Sequence, residues 1–301
     1  MKTAIIDVGS NTIRLSVYNT FEDGTFELLF SKKETAGLAG YIRHGKMSQS
    51  GIEKACGVLQ SFQSLLHLLE VEDLHVFATA SLRNIINTDE AIHRIYQETG
   101  ILVDVISGKL EANLGCCGAL DPLRPEKAAI FDIGGGSTEL VEVRSHEIYS
   151  SQSLAMGSLN LFNLFVSRIW PKDKELKKMT RCIQETFRQA DLPERKLDRI
   201  YGIGGTARAA LRIINDYFGK DSDCRAFSKE ELSEITNLLL ERNSRTRELI
   251  LNNCPDRVHT VIPGILILNT LSGYLAKDEI RISKYGVREG YLCHRVLKNT
   301  I

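Results

Sequence analysis

Two short stretches of this chain have the residue types and spacing to hold phosphate. Asp7-Val8-Gly9-Ser10-Asn11-Thr12 lies near the start and Asp132-Ile133-Gly134-Gly135-Gly136-Ser137-Thr138 in the middle, each beginning with an aspartate at the end of an apolar run. Glycines allow main-chain N–H groups to turn toward an anion without a Cβ in the way. Hydroxyls add donors, and the carboxylate suits a divalent cation that offsets phosphate charge. Ser10, Asn11, Thr12, Gly134, Gly135, Gly136 and Ser137 are therefore the expected phosphate cradle. An aspartate before glycine is also a common turn former, and this plainer reading applies to Asp7 more than to Asp132.

The surrounding pattern predicts the elements that position these stretches. Each aspartate ends a strand (3–6 and 128–131 supply the apolar runs), and a second β-like run follows at Ile13–Tyr18 and at Glu139–Val143. In the first half a third strand at 26–31 leads into a Gly-rich, basic loop at 37–46. Next is a helix capped by Ser48 or Ser50, with Ile52, Ala55, Leu59, Phe62, Leu66 and Leu69 at helical spacing. Strands are predicted at 74–78 and 103–106, with helices at 89–99 and 108–119. The second half gives strands near 128–133, 138–143, 147–154, 197–203 and 279–283. Its helices fall near 158–168, 173–190, 206–217, 228–241, 244–252, 260–276 and 287–297. The shared β-β-β-α-β-α order predicts a duplicated α/β fold with the ligand in a cleft between lobes. The two prolines of 121–125 set the expected domains at 1–124 and 125–301.

Composition narrows the function classes. The chain has 301 residues, with Lys+Arg and Asp+Glu both at 38, and this zero balance argues against bulk nucleic-acid or membrane-surface binding. Its seven cysteines are scattered and form no Cys-x-x-Cys pair, so they read as reduced thiols in a cytoplasmic setting. No charged-then-apolar leader precedes Asp7. The greasiest stretch, 261–271, is short and broken by Pro263, Gly264 and Asn269, which marks a buried helix. The seven histidines show no ligand spacing.

Six motifs in order give the chain a resemblance. They are Ile6-Asp7-Val8-Gly9-Ser10-Asn11-Thr12-Ile13-Arg14, Ala78-Thr79-Ala80-Ser81-Leu82-Arg83, Ile106-Ser107-Gly108 with Glu111-Ala112, Phe131-Asp132-Ile133-Gly134-Gly135-Gly136-Ser137-Thr138-Glu139-Leu140, Gly202-Ile203-Gly204-Gly205-Thr206-Ala207-Arg208, and Gly286-Val287-Arg288-Glu289-Gly290. Together they resemble the exopolyphosphatase and guanosine pentaphosphate phosphohydrolase family, short two-domain type. That family belongs to the actin-like, sugar-kinase-like ATPase superfamily. The resemblance implies two actin-like (ribonuclease H-like) lobes. It also implies removal of terminal phosphate from inorganic polyphosphate, and for some members from guanosine pentaphosphate, with Mg2+. The family's catalytic glutamate is the second Glu of Ser-Gly-x-Glu-Glu-Ala and falls on Glu111. The first is Leu110 here, which either desolvates Glu111 or simply packs.

Such a hydrolysis needs an in-line water, a base to position it and donors around the phosphate oxygens. Glu111, at a strand-to-helix junction, is the expected base. Asp132, with Asp7 and Glu139, is expected to hold Mg2+. Arg83 is expected on the terminal phosphate, with Arg14, Arg208 and Arg288 as further phosphate ligands. Plainer readings exist for Glu111 as a first-turn helix acid and for Arg83 as a surface ion-pair residue. The stretch 168–199 holds ten Lys/Arg against six Asp/Glu, and reads as a polyanion track or as a solvated helix face; Arg43, His44 and Lys46 form a smaller basic group. The expected partner is polyphosphate or guanosine pentaphosphate, with no nucleic acid and no membrane, for a monomer or homodimer. An ATP-dependent kinase of the same superfamily and a non-catalytic polyphosphate or alarmone sensor are the competing readings.

Overall fold

The computed structural model describes residues 1–120, 125–193 and 197–297, and the chain divides into two compact units. One is formed by Met1–Glu111 together with the segment from Tyr291; the other is Ala112–Gly290.

The first unit contains β1 (Lys2–Val8), β2 (Thr12–Thr20), β3 (Phe26–Thr35), the two-residue strands β4 (Ile42–Arg43) and β5 (Lys46–Met47), α1 (Gln49–Leu68), β6 (Asp73–Ala78), α2 (Ala80–Arg83), α3 (Thr88–Thr99) and β7 (Asp104–Val105). Its main sheet runs β3-β2-β1-β6-β7, antiparallel across β1–β2–β3 and parallel from β1 onward. Because β1 is central, Ala4, Ile5 and Ile6 are fully buried, which explains its nearly continuous apolar run. Ser48 is the cap of α1, its Oγ accepting from the Gly51 amide at 3.3 Å. Ile52, Ala55, Leu59, Phe62 and Leu66 then bury one face of α1 in the same core as β1 and β2. Each large side chain buried this way stabilises by about 1.5–3 kcal/mol.

Helix α4 (Gly108–Ala119) begins at the division, and the second unit continues with β8 (Lys127–Ile133), β9 (Thr138–Arg144), β10 (Glu147–Leu154), α5 (Ser158–Phe165), α6 (Asp173–Gln189), β11 (Arg199–Ile203), α7 (Gly204–Tyr217), β12 (Ala226–Ser228), α8 (Lys229–Glu241), α9 (Ser244–Asn253), α10 (Val261–Tyr274), β13 (Glu279–Ile282) and α11 (Val287–Tyr291). The sheet order is β10-β9-β8-β11-β13-β12. An antiparallel meander again passes into parallel strands, so the second unit repeats the design of the first. These are the two lobes of an actin-like α/β fold. Helix α10 is buried on nearly every side, and among the described residues no helix is long and apolar enough to cross a membrane.

The division falls at Glu111/Ala112, whereas the proline-bearing loop had suggested 124/125; residues 121–124 lie outside the described residues. Packing accounts for the difference. Ala112, Cys116 and Ala119 of α4 share a core with Ala128, Ile130, Val141, Val143 and Ile203. At the other end Tyr291 stacks on Phe77 with ring centroids 4.7 Å apart and donates to Asp104 Oδ2 at 3.1 Å, which ties the C-terminal segment to the first unit. That segment is α-helical only to Tyr291 and widens to a π-helical turn over Leu292–Val296, where sequence spacing predicted one helix to 297. Strand β12 was not predicted.

Candidate functional site

In the first unit the turn from β1 to β2 is closed by the Gly9 amide donating to the Thr12 carbonyl at 3.1 Å. A Cβ on Gly9 would sit 3.0 Å from that carbonyl, which explains the glycine. The segment after β3 backs the turn: the amides of Ala36 and Gly37 donate to the Asn11 carbonyl at 3.0 and 2.8 Å, and the Ala39 amide to the Ser10 carbonyl at 3.0 Å. Ser10 and Asn11 are thereby buried. Among the described residues, neither the oxygen nor the nitrogen of the Asn11 carboxamide finds a hydrogen-bond partner. A buried polar group without partners is costly, so this side chain is suited to a polar ligand. Asp7 and Arg14 are cross-strand partners in the β1–β2 register.

Glu111 lies in the first turn of α4, its amide donating to the Ser107 carbonyl at 2.9 Å, while Ser107 Oγ accepts from the Leu110 amide at 3.1 Å. The residue is only 8% exposed. Arg83, from α2, donates through Nη1 to Glu111 Oε2 at 2.6 Å and to the Ile106 carbonyl at 3.2 Å. Arg83, expected on the terminal phosphate, is thus also the ion-pair partner of Glu111. Leu110 is half-buried beside them.

The corresponding turn of the second unit is closed in the same way, the Gly134 amide donating to the Ser137 carbonyl at 2.9 Å. Its carbonyls are consumed by the start of α5. Gly134 accepts from the amide and Oγ of Ser158 at 2.9 and 3.1 Å, Gly135 from the amides of Leu159 and Asn160, and Gly136 from Asn160 Nδ2 at 2.8 Å. Gly157 makes this approach possible, since a Cβ there would overlap the Gly135 and Gly136 backbone. The amides of Gly135, Gly136 and Ser137 stay uncommitted among the described residues and are left to meet an anion.

Asp132, at the end of β8, faces Glu139 across the β8–β9 register and Ile203 across β8–β11. Glu139 is buried and accepts from Ser153 Oγ at 2.7 Å. Gly204 begins α7 in the left-handed region at φ +78°, and a Cβ there would collide with the Asp132 carboxylate. A Cβ on Gly205 would likewise strike the Arg257 guanidinium. Burial pushes the Asp132 carboxyl above its ordinary range, against the pull of Arg208, Arg257 and Arg288. Burial also lowers Arg208 and Arg257 from their usual values. Arg208 is held by the Lys284 carbonyl at 3.0 Å, and the Gly286 amide donates to Glu289 Oε2 at 2.8 Å at the start of α11.

The sequence-derived site residues divide between the two units. Asp7, Ser10, Asn11, Thr12, Arg14, Arg83 and Glu111 belong to the first unit; Asp132, Gly134, Gly135, Gly136, Ser137, Glu139, Arg208 and Arg288 belong to the second. Arg257 was missed. It ends a short 3-10 turn begun by Pro255, ahead of an apolar helix, and its only sequence signal is a cation where the chain is about to become a core element. The carboxylates that could hold a divalent cation are Asp132 and Glu139, register partners across β8 and β9. Among the described residues no group of three or more His, Cys, Asp or Glu converges. A cation here would rest on the Asp132 and Glu139 carboxylates, and Mg2+ commonly accepts that, with water and phosphate oxygens completing its shell.

Fold and site together define a duplicated, actin-like α/β protein with a closed glycine turn after an aspartate-bearing strand in each half. The sequence profile of the Ppx/GppA phosphatase family matches residues 17–299, and the chain belongs to that family and is a hydrolase. It is 25% identical over 295 residues to a Haemophilus influenzae protein named "Putative exopolyphosphatase", covering 96% of this chain and 90% of that one. It is also 25% identical over 295 residues to the bifunctional 3-dehydroquinate synthase/phosphatase of Fusobacterium nucleatum; that match covers 93% of this chain but only 44% of the longer relative. The crystal structure of the Aquifex aeolicus member of the Ppx/GppA protein family superimposes with a TM-score of 0.79 at 25% identity, covering 100% of this chain and 99% of that one.

Proposed function

We propose that this hydrolase is a Mg2+-dependent exopolyphosphatase that releases the terminal phosphate of inorganic polyphosphate by attack of water, with guanosine pentaphosphate as a second substrate. The observation that carries the reading is Glu111. It is a buried carboxylate in the first turn of a helix, with one oxygen held by Arg83 at 2.6 Å, in a chain that also carries two phosphate-binding turns. Glu111 takes a proton from the attacking water as the water oxygen bonds to the terminal phosphorus and the bridging P–O bond breaks, its electron pair leaving on the shortened chain. Arg83 holds the carboxyl group in register, and the remaining donors of its guanidinium fork suit the oxygens of the terminal phosphate. Ser10, Asn11, Thr12 and Arg14 bind from the first turn, and the Asn11 carboxamide finds its partners there. The amides of Gly135, Gly136 and Ser137, with Arg208, Arg257 and Arg288, bind from the second.

Asp132 and Glu139 would hold Mg2+, which would offset charge on the phosphate oxygens, while Asp7, opposite Arg14 in the other unit, is left out of the ligand set. Three arginines acting on Asp132 disfavour a bare cation, so metal and polyanion are expected to bind together. The seven cysteines, all free, fit a cytoplasmic setting.

The test is phosphate release from polyphosphate, guanosine pentaphosphate and ATP in parallel, with Mg2+ and with the metal chelated. Release from polyphosphate that stops on chelation supports the proposal. Release from none of the three contradicts it.

A further inference from the structure

We infer that the exposed face of α6 is a second polyanion site, a docking groove for the part of a long polyphosphate chain that trails from the reacting end. This rests on polyphosphate being the substrate. Lys174, Lys177, Lys178 and Arg181 recur at three and four residues, so they line one side of the helix, and all four are exposed. The opposite side buries Met179, Ile183 and Phe187.

The acids near the start of the helix are already committed. Asp173 receives Arg242 Nη2 at 2.6 Å. Glu175 accepts from the Lys172 amide at 2.7 Å and from the Ser167 hydroxyl at 2.7 Å. Among the described residues none of the four cations is in an ion pair. Like charges at this spacing weaken a helix by a few tenths of a kcal/mol per pair. The stripe is therefore not there to stabilise α6. The face is not the balanced mix of signs that Arg94 and Glu98 make on α3: toward the groove Glu185 is the one lining acid beside Lys177, Lys178 and Arg181.

A groove of about 440 Å³ runs along this face, lined by Phe165, Lys177, Lys178, Arg181, Cys182 and Glu185. Phe165 is the last residue of α5, whose first turn holds the carbonyls of Gly134, Gly135 and Gly136. One eight-residue helix, roughly 10 Å long, thus connects the phosphate-binding turn to the groove within a single unit. Arg195 and Lys196 of the basic stretch lie outside the described residues. A neutral protein that gathers unpaired cations here has a local track for a polyanion.

The experiment measures binding of fluorescently labelled long-chain polyphosphate and of tripolyphosphate across a salt series, together with phosphate release, for the native chain, Lys177→Gln/Lys178→Gln/Arg181→Gln and Lys177→Arg/Lys178→Arg. The expected result is a roughly tenfold loss of long-chain affinity in the neutral variant, the scale of three exposed ionic contacts. The slope of log affinity against log salt should fall by about 2. Tripolyphosphate binding and turnover stay unchanged, and the arginine variant behaves as native. Unchanged long-chain affinity in the neutral variant overturns the groove, as does equal weakening for both chain lengths. Competition by single-stranded DNA of equal charge as effective as that by polyphosphate also overturns it, in favour of a non-selective cationic face. A native chain that binds long polyphosphate through this face but releases no phosphate contradicts the proposed reaction and leaves the groove standing.

Discussion

The two glycine turns, one in each unit, share a backbone closure and differ in charge. Gly9 closes onto Thr12 at 3.1 Å and Gly134 onto Ser137 at 2.9 Å, and each turn follows an aspartate at a central strand end. The partner across the hairpin is where they part. Asp7 faces Arg14, whereas Asp132 faces Glu139. A carboxylate opposite a guanidinium is neutralised locally and favours an anionic ligand nearby; two opposed carboxylates favour a cation. The closed turn is thus common to both copies, and the facing position gives them different charge. We assign the metal to the second unit on this ground and the water-activating carboxylate to the first.

That assignment fails if the two aspartates prove equivalent. Asp132→Asn is expected to lower phosphate release from polyphosphate on the order of 10²–10³-fold, and Asp7→Asn less than roughly tenfold. Equal losses would dissolve the distinction. Arg257→Met should raise KM for polyphosphate roughly tenfold to a hundredfold, the cost of hydrogen bonds to a charged group, while Arg14→Met changes it only severalfold.

The pH profile sharpens the same contrast. Burial raises the Asp132 carboxyl of the metal-free protein, and holding Mg2+ requires the ionised form, so at limiting Mg2+ activity should fall as pH drops through a window above the ordinary aspartate range. In that window the folded state binds this proton more tightly than the unfolded state. The group's contribution to stability therefore increases as pH falls, and the lost activity should appear without unfolding. Activity held constant down to the ordinary aspartate range would contradict the raised carboxyl.

The smallest expected effect concerns only the scaffold. A Cβ on Gly290 would overlap the Leu114 backbone, so Gly290→Ala should cost about 1–3 kcal/mol in denaturant unfolding. Unaltered stability would show that this approach can relax.

Much of this was legible in the sequence because the signals are local. Strand ends before a glycine turn, the Ser48 cap and the helical spacing of α1 are set by neighbours along the chain. Arg257 was not legible: it reaches Gly205 through folding, from a turn with no motif of its own. The pairing of Arg83 with Glu111 was hidden for the same reason, since two residues from separate motifs meet only when α2 and α4 are placed. β12 spans only Ala226–Ser228 at the sheet edge beside β13, too short to show a period. The unit boundary depends on which core α4 enters, and a proline-bearing loop does not report that.

The most direct test of the account is phosphate release from polyphosphate with Mg2+ by Glu111→Gln, measured beside polyphosphate binding by the same variant. The account predicts binding near native and turnover reduced by roughly 10²–10⁴-fold, the range of a lost general base. Turnover close to native in a variant that still binds would contradict it.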